Sequence, residues 1–169
     1  MGNISNVKID PELSSLIRPL QPEEYEKLKE SILAEGIRDP LVVWRGILVD
    51  GHHRYKIAQE YGLEFRTVEI DLPDKEAAKE WIFTNQLGRR NLTPLEASYY
   101  RGKLYESRKQ HQYIHPKSVG KNYPRLKVSA ELAEEYGLSE KTIRNDAEFS
   151  KAVDKVAAEI GEEAKHAIL

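Results

Sequence analysis

A glycine followed by three side chains that can carry positive charge could bind an anion in the first third of this chain. Gly51 precedes His52, His53 and Arg54, and the run joins a predicted strand directly to a predicted helix. A helix N-terminus offers unpaired backbone N–H groups and a partial positive charge, which favour phosphate. Cationic side chains at this end of a helix are repelled by its partial positive charge, and a bound anion would offset that repulsion. The run predicts a phosphate site, although a solvated turn explains it equally well.

A metal site is the third interpretation of the same run. Two adjacent histidines point in different directions, and the sequence offers them no convincing partner ligands. We therefore predict no metal there. A second polar segment, from Asn85 to Asn91, lies between two predicted helices, and its Arg89 and Arg90 could contact the same phosphates or a DNA backbone.

The segment from 129 to 149 has the spacing of a helix-turn-helix. Ser129 is predicted to cap its first helix, and Gly137 supplies the positive φ that a tight turn needs. Leu138 is predicted to fill the core, Ser139 to cap the second helix, and Ile143 to pack inward. The inward positions of the first helix are Leu132, Ala133 and Tyr136.

The second helix of this segment presents polar side chains outward. Arg144 suits guanine edges and Asn145 suits adenine edges, which favours DNA as the partner. An ordinary helical hairpin with a glycine turn remains the alternative. The outward residues are Glu140, Lys141, Thr142, Arg144 and Asn145.

Charge is segregated along the 169 residues, although the net charge is only −2. Residues 1–88 hold 11 basic and 16 acidic side chains, and residues 128–169 hold 5 basic and 10 acidic ones. Residues 89–127 between them hold 10 basic and 2 acidic side chains, a balance of +8. A local basic segment steers a phosphate backbone more than the net charge does.

Several classes of protein are excluded by composition. The chain has no cysteine, which rules out a disulfide scaffold, a thiolate zinc site and a cysteine nucleophile. Its longest apolar runs are far too short to cross a bilayer, and its first residues do not have the basic start and apolar run that a signal peptide has. We expect a cytoplasmic protein without a membrane partner. No stop signal precedes Leu169, so we also expect the chain to be a piece of a longer protein.

Strands and helices alternate up to about residue 88. Apolar spacing predicts a helix from Pro22 to about Leu33, ended by Gly36, and a helix after Gly51. Asp74 is predicted to cap a third helix. The predicted strands are Leu41–Trp44 and Ile47–Asp50 around an Arg45-Gly46 turn, followed by Phe65–Ile70.

Only helices are predicted after that point. Thr93 and Glu96 form a capping box that starts a helix running to about Gln110. A loop is predicted from 111 to 125, followed by the helix-turn-helix. We therefore predict an α+β fold: a small mixed-sheet domain at 1–90 and an all-α domain at 91–169.

Several motifs resemble the ParB-type chromosome and plasmid partition proteins in the order that this family has them. The resemblance runs from about Ile9 to about Phe149, and its most specific parts are the G-x-x-R-Y-K segment from Gly51 and N-L-T-P-L-E from Asn91. It implies a ParB/sulfiredoxin-type domain that binds CTP or another nucleoside triphosphate, with or without Mg²⁺. It also implies a DNA-binding domain that forms a clamp, and a partition ATPase as a further partner. We expect a homodimer, because helix-turn-helix proteins commonly read two half-sites.

Two departures from the family pattern matter for chemistry. The family's acidic residue that helps to hold Mg²⁺ is Asn85 here, so nucleotide binding is expected to survive more easily than hydrolysis, and CTPase activity stays an open question. His52 stands where sulfiredoxin has its essential cysteine, so sulfiredoxin chemistry is excluded. The implied phosphate contacts are Gly51, His52, His53, Arg54, Asn85, Gln86 and Arg89, and the DNA contacts are Lys141, Thr142, Arg144 and Asn145.

Two other functions remain open at this point. Some proteins with this fold resemble free-serine kinases. If this chain were such a kinase, its Asp50 or Glu35 could act as the general base. A regulator that binds DNA without any nucleotide is the third hypothesis. Salt-dependent binding to duplex DNA separates the DNA-binding functions from the kinase, because neutralised phosphates release counterions.

Overall fold

The computed structural model describes residues 7–114 and 127–169. The chain forms two compact units, Met1–Ile82 and Phe83–Leu169. The boundary falls within one helix, Lys75–Leu87. The predicted α+β fold is confirmed: a small mixed sheet with helices comes first, and the described residues after it are helical apart from their connections.

The first unit is built on a three-stranded sheet of β1 (Leu41–Trp44), β2 (Ile47–Asp50) and β3 (Thr67–Glu69). Its order is β2-β1-β3, with β1 antiparallel to β2 and parallel to β3. Arg45 and Gly46 have φ values of 49° and 75°. Positive φ at both turn residues matches the twist of a two-residue hairpin, so the predicted hairpin is confirmed.

Helices cover this sheet, and their ends follow local sequence signals. The predicted helix from Pro22 is confirmed and ends before Gly36, whose φ is 76°. A short helix from Pro11, which we did not predict, is capped by the Asp10 carboxylate on the N–H groups of Glu12 and Leu13. The helices that begin in this unit are α1 (Pro11–Ser14), α2 (Pro22–Glu35), α3 (His52–Tyr61) and α4 (Lys75–Leu87).

Alternation along β1 divides the apolar residues between two clusters. Leu41 and Val43 belong to one cluster, whereas Trp44 belongs to the other, because successive strand residues point to opposite faces of a sheet. The first cluster also holds Val7, Leu48, Ala58 and Phe65, and the second holds Leu13, Ile17, Val49, Ala78 and Ile82. Because apolar residues are buried on both faces of the sheet, the position of the end of β2, from which α3 begins, is fixed.

The described part of the second unit, residues 83–114 and 127–169, contains helices and their connections but no strand. The Thr93 capping box is confirmed, because the Glu96 carboxylate accepts from the Thr93 N–H at 2.7 Å and the Thr93 hydroxyl accepts from the Glu96 N–H at 3.1 Å. Among the described residues, no helix is long and apolar enough to span a membrane. The helices that begin in this unit are α5 (Pro94–Ile114), α6 (Val128–Tyr136), α7 (Glu140–Ile160) and α8 (Glu162–Ile168).

Four local predictions need correction. Lys127, not Ser129, is the residue before α6; Ser129 is buried inside the first turn and bonds to α7 instead. Leu138 is 37% exposed, because the turn points its side chain outward rather than into the core. The predicted strand from Phe65 forms only at β3. Helix α5 continues to Ile114, so 111–114 are helical, and the rest of the predicted loop lies outside the described residues.

The backbones of α5 and α7 approach each other closely at Gly102 and Asp146. A Cβ built on Gly102 would lie 2.2 Å from the carbonyl oxygen of Asp146, so only glycine allows this contact. Asp146 is buried, and its carboxylate accepts hydrogen bonds from Ser98 Oγ at 2.5 Å and from Arg101 Nε at 2.7 Å. The start of α7 is thereby fixed to a second helix.

Candidate functional site

Gly51 shapes the turn that carries the predicted phosphate run. Its φ is 93°, which L-residues avoid, and a Cβ there would lie 2.6 Å from Leu41 Cδ2. Helix α3 therefore begins immediately at His52, and its first turn holds His52, His53 and Arg54 without any acidic residue. Gly51 has no side chain that could cap the helix. The structure thus places the predicted residues at a helix N-terminus, as the anion interpretation requires.

Arg54 does not extend over this helix end but folds back to the sheet. Its Nη2 donates to Asp50 Oδ2 at 2.8 Å, and its Nη1 donates to the Asp39 carbonyl at 3.0 Å. Its side chain is 20% exposed. The guanidinium therefore joins the end of β2 to the chain before β1, and contact with a phosphate would require it to share or exchange these partners.

His53 contacts a residue that sequence reasoning missed. Its Nε2 lies 3.0 Å from the Arg18 carbonyl, and because a carbonyl only accepts, His53 donates from Nε2. The Arg18 guanidinium donates to Glu24 Oε2 at 2.9 Å, and the same oxygen accepts from the Gln21 N–H at 3.0 Å. No local pattern in the sequence marks Arg18, because its contact with His53 spans 35 positions.

Acidification is expected to weaken the contact between Arg18 and Glu24. The hydrogen bond from Arg18 holds the pKa of the Glu24 carboxyl below its ordinary value of 4.5. A lowered folded-state pKa means that the contribution to stability is present above the unfolded pKa and is lost as pH falls through the folded one. Glu24→Gln should lower the free energy of unfolding by about 1 kcal/mol at pH 7. Urea unfolding should show that the difference in unfolding free energy between wild type and Glu24→Gln becomes smaller as pH falls.

Glu23 supplies the matched control for that prediction. It is exposed in the same first turn of α2, and glutamine at either position keeps the helix start intact. Glu23→Gln should leave the unfolding free energy near the wild-type value at every pH. If the difference in unfolding free energy between wild type and Glu24→Gln stays constant with pH, the ion-pair explanation is contradicted.

The second polar group lies at the end of α4, in the second unit. Asn85 and Gln86 occupy the last turn of α4, and Arg89 follows it with its N–H donating to the Gln86 carbonyl at 3.1 Å. Gln86 is fully buried, whereas Asn85 and Arg89 are half-buried. Their predicted contact with phosphate stays a prediction. Within 7–114 and 127–169, no group of three or more His, Asp or Glu could hold a metal ion.

Helices α6 and α7 meet at a three-residue turn, Gly137 to Ser139. Gly137 has a φ of 65° and ends α6. The Ser139 hydroxyl accepts from the Thr142 N–H at 3.0 Å and so caps α7, as predicted. Ile143 is fully buried, which confirms the predicted anchor. The turn and the anchor together fix the direction of the first turns of α7.

The polar side chains at the start of α7 lie on its solvent side. Lys141, Arg144 and Asn145 are exposed, and Thr142 is half-buried beside the Ser139 hydroxyl. Arg144 Nη1 donates to Glu140 Oε2 at 3.1 Å. Such side chains can donate hydrogen bonds to phosphate oxygens and to base edges, which are the contacts that a DNA-binding helix makes.

Two solved ParB N-domains share this fold. The pNOB8-like ParB N-domain has a TM-score of 0.63 and 24% identity over 85% of this chain and 61% of that one. The C2221 form of the Pnob8-like ParB-N domain has a TM-score of 0.62 and 21% identity over 82% of this chain and 63% of that one. The present chain therefore has a ParB N-domain fold and spans less than two thirds of the length of these structures.

A third solved structure is less similar to this chain. The C-terminally truncated chromosome-partitioning protein ParB from Caulobacter crescentus, complexed with CTP-gamma-S, has a TM-score of 0.43 and 20% identity over 95% of this chain and 86% of that one. No protein-family model and no curated protein matches the sequence.

Proposed function

We propose that the chain is a ParB-like DNA-binding protein in which the start of α7 contacts duplex DNA. The observation that carries this proposal is the surface formed by exposed Lys141, Arg144 and Asn145 on a helix whose direction is fixed by a glycine turn and a buried isoleucine. The helix-turn-helix inserts its second helix into the major groove, where arginine pairs with guanine and asparagine with adenine. The ParB N-domain fold supports the same function.

We propose that the first unit binds a nucleoside triphosphate at the N-terminus of α3. Gly51 allows close approach of a phosphate, and the first-turn N–H groups with His52, His53 and Arg54 supply donors and positive charge. CTP is the first candidate, because the motif residues resemble those of partition proteins. In this proposal Mg²⁺ accompanies the nucleotide.

Partition of a plasmid or chromosome is the biological role that fits this pair of activities. The protein would act in the cytoplasm as a homodimer, because helix-turn-helix proteins read two half-sites, and a partition ATPase would be its protein partner. The kinase alternative has less support. Asp50, a candidate general base, pairs with Arg54 at 2.8 Å, which gives it a structural role in joining β2 to the start of α3.

A panel of nucleotides with and without duplex DNA tests nucleotide binding. CTP should raise the thermal unfolding temperature, and a nucleotide at about 100 times its Kd should stabilise the protein by about 2.7 kcal/mol. Arg54→Ala should abolish this shift. Lys27→Ala removes the same charge from an exposed position on α2 and should retain the full shift.

The panel also separates the alternatives. A protein that binds duplex DNA but shows no shift with any nucleotide would be the nucleotide-independent regulator. Transfer of phosphate to a small molecule, without DNA binding, would identify the kinase. An equal nucleotide shift in Arg54→Ala and in the wild type would contradict the proposed site at the start of α3.

A further inference from the structure

Glu140 lies in the first turn of α7, among the side chains proposed to contact DNA. A carboxylate suits the positive end of a helix, but it repels the phosphates that such a helix must approach. Its Oε2 accepts hydrogen bonds from Ser129 Oγ at 2.9 Å and from Arg144 Nη1 at 3.1 Å. One carboxylate oxygen therefore joins α6, α7 and the arginine proposed to contact a base.

The two partners of this oxygen differ in how firmly they are held. Ser129 is 4% exposed and is fixed by the packing of α6, whereas the Arg144 side chain is 53% exposed. The hydrogen bond from Ser129 is the largest cause that lowers the pKa of Glu140, and the Arg144 and Lys127 charges act in the same direction. Glu140 is therefore an anion at neutral pH that α6 holds in place.

We propose that Glu140 is a positioning residue that sets DNA sequence discrimination by holding Arg144 in one orientation. The inference rests on the proposed DNA-binding function. A guanidinium is a rigid fork with five N–H donors. When one nitrogen stays on Glu140, the remaining edge points in a fixed direction and can meet the N7 and O6 acceptors of guanine as a pair.

Removal of the carboxylate would change what Arg144 can contact. A free guanidinium on a long side chain can reach the nearest phosphate of any sequence, and phosphate contacts carry no sequence information. The exposed pair contributes little to folding, so the effect is expected in binding rather than in stability. Loss of Glu140 should therefore raise affinity for every duplex and lower the preference for the correct one.

The experiment compares binding of a preferred duplex and a scrambled duplex. Wild-type protein selects the preferred duplex from a random pool, and affinities are then measured across a range of salt concentrations. Glu140→Gln keeps the side-chain shape and removes the charge. Its ratio of affinities for the two duplexes should fall about tenfold, since a paired guanine contact discriminates by roughly that factor or more. Its salt slope on the scrambled duplex should steepen by about 0.9, one added phosphate contact.

Glu148→Gln is the matched control on the same helix. It makes the same change in net charge, but the Glu148 carboxylate accepts from Lys151 Nζ at 3.3 Å rather than from Arg144. Both affinities should rise together in this variant, which leaves their ratio unchanged. Ser129→Ala changes no charge and should lower the ratio in the same direction as Glu140→Gln, because it releases the carboxylate from α6.

A double variant distinguishes positioning from a general charge effect. In an Arg144→Ala background, Glu140→Gln should no longer change the ratio of affinities, because the side chain that it orients is gone. Equal ratios for Glu140→Gln and Glu148→Gln would overturn the inference and leave DNA binding intact. Wild-type binding without any sequence preference would overturn it in the same way. Failure of the wild type to bind duplex DNA would overturn the proposed function and the inference together.

Discussion

Gly102→Ala is expected to lower the free energy of unfolding by about 3 kcal/mol or more, through a clash in the middle of α5. The added Cβ would lie 2.2 Å from the carbonyl oxygen of Asp146 and 2.7 Å from Ser150 Oγ. A side chain can rotate away, but a backbone carbonyl inside α7 cannot, so the two helices must separate. Urea unfolding followed by circular dichroism measures the loss.

The expected effect of Gly102→Ala is opposite in sign to the effect that helix propensity alone predicts. Alanine exceeds glycine in helix propensity by about 1 kcal/mol, so local structure alone predicts stabilisation at an interior helix position. Gly88→Ala is the matched control, because its Cβ would meet the nearest atom, the Asn85 carbonyl oxygen, at an ordinary 3.5 Å. Gly88→Ala should be neutral or stabilising. A neutral Gly102→Ala would contradict the close packing of α5 on α7.

Asp146→Ala is expected to cost about 3 kcal/mol of unfolding free energy, the range seen when one member of a buried ion pair is removed. The Asp146 side chain is 7% exposed and its partner Arg101 is 17% exposed, so neither charge is well solvated. The substitution also leaves the Ser98 hydroxyl without its acceptor. The remaining arginine is a largely buried cation, which is why the loss exceeds that of a surface pair.

Glu148→Ala controls for the loss of a carboxylate on α7. Glu148 is exposed and pairs with solvent-accessible Lys151, so its removal should change the unfolding free energy by less than about 0.5 kcal/mol. Asp146→Asn should fall between the two, because the amide keeps the shape of the side chain but not its charge. Equal losses for Asp146→Ala and Glu148→Ala would contradict the buried network.

Features encoded by neighbouring residues could be predicted from the sequence. The Arg45-Gly46 turn, the Thr93 capping box and the Ser139 cap each depend on residues within four positions of one another. Their hydrogen bonds form whenever the local backbone takes the helical or turn conformation. The exposed positions of Lys141 and Arg144 follow in the same way from helical periodicity once Ile143 faces inward.

Features that depend on distant residues could not be predicted in this way. Gly102 looks like a weak point in a helix until the Asp146 carbonyl is placed against it. Ser129 has the side chain of a helix cap, but its hydroxyl bonds to Glu140, 11 positions away. Arg18 gave no signal because its contact with His53 spans 35 positions. Such contacts are set by packing rather than by propensity.

The most direct test of the central claim is a salt titration of binding to duplex DNA. If α7 contacts the DNA backbone, log K should fall linearly with log salt at a slope of about −0.9 for each phosphate neutralised. Lys141→Ala should reduce that slope by about one and weaken binding to all sequences alike. Affinity that does not change with salt, or no detectable binding at low salt, would contradict the proposed function.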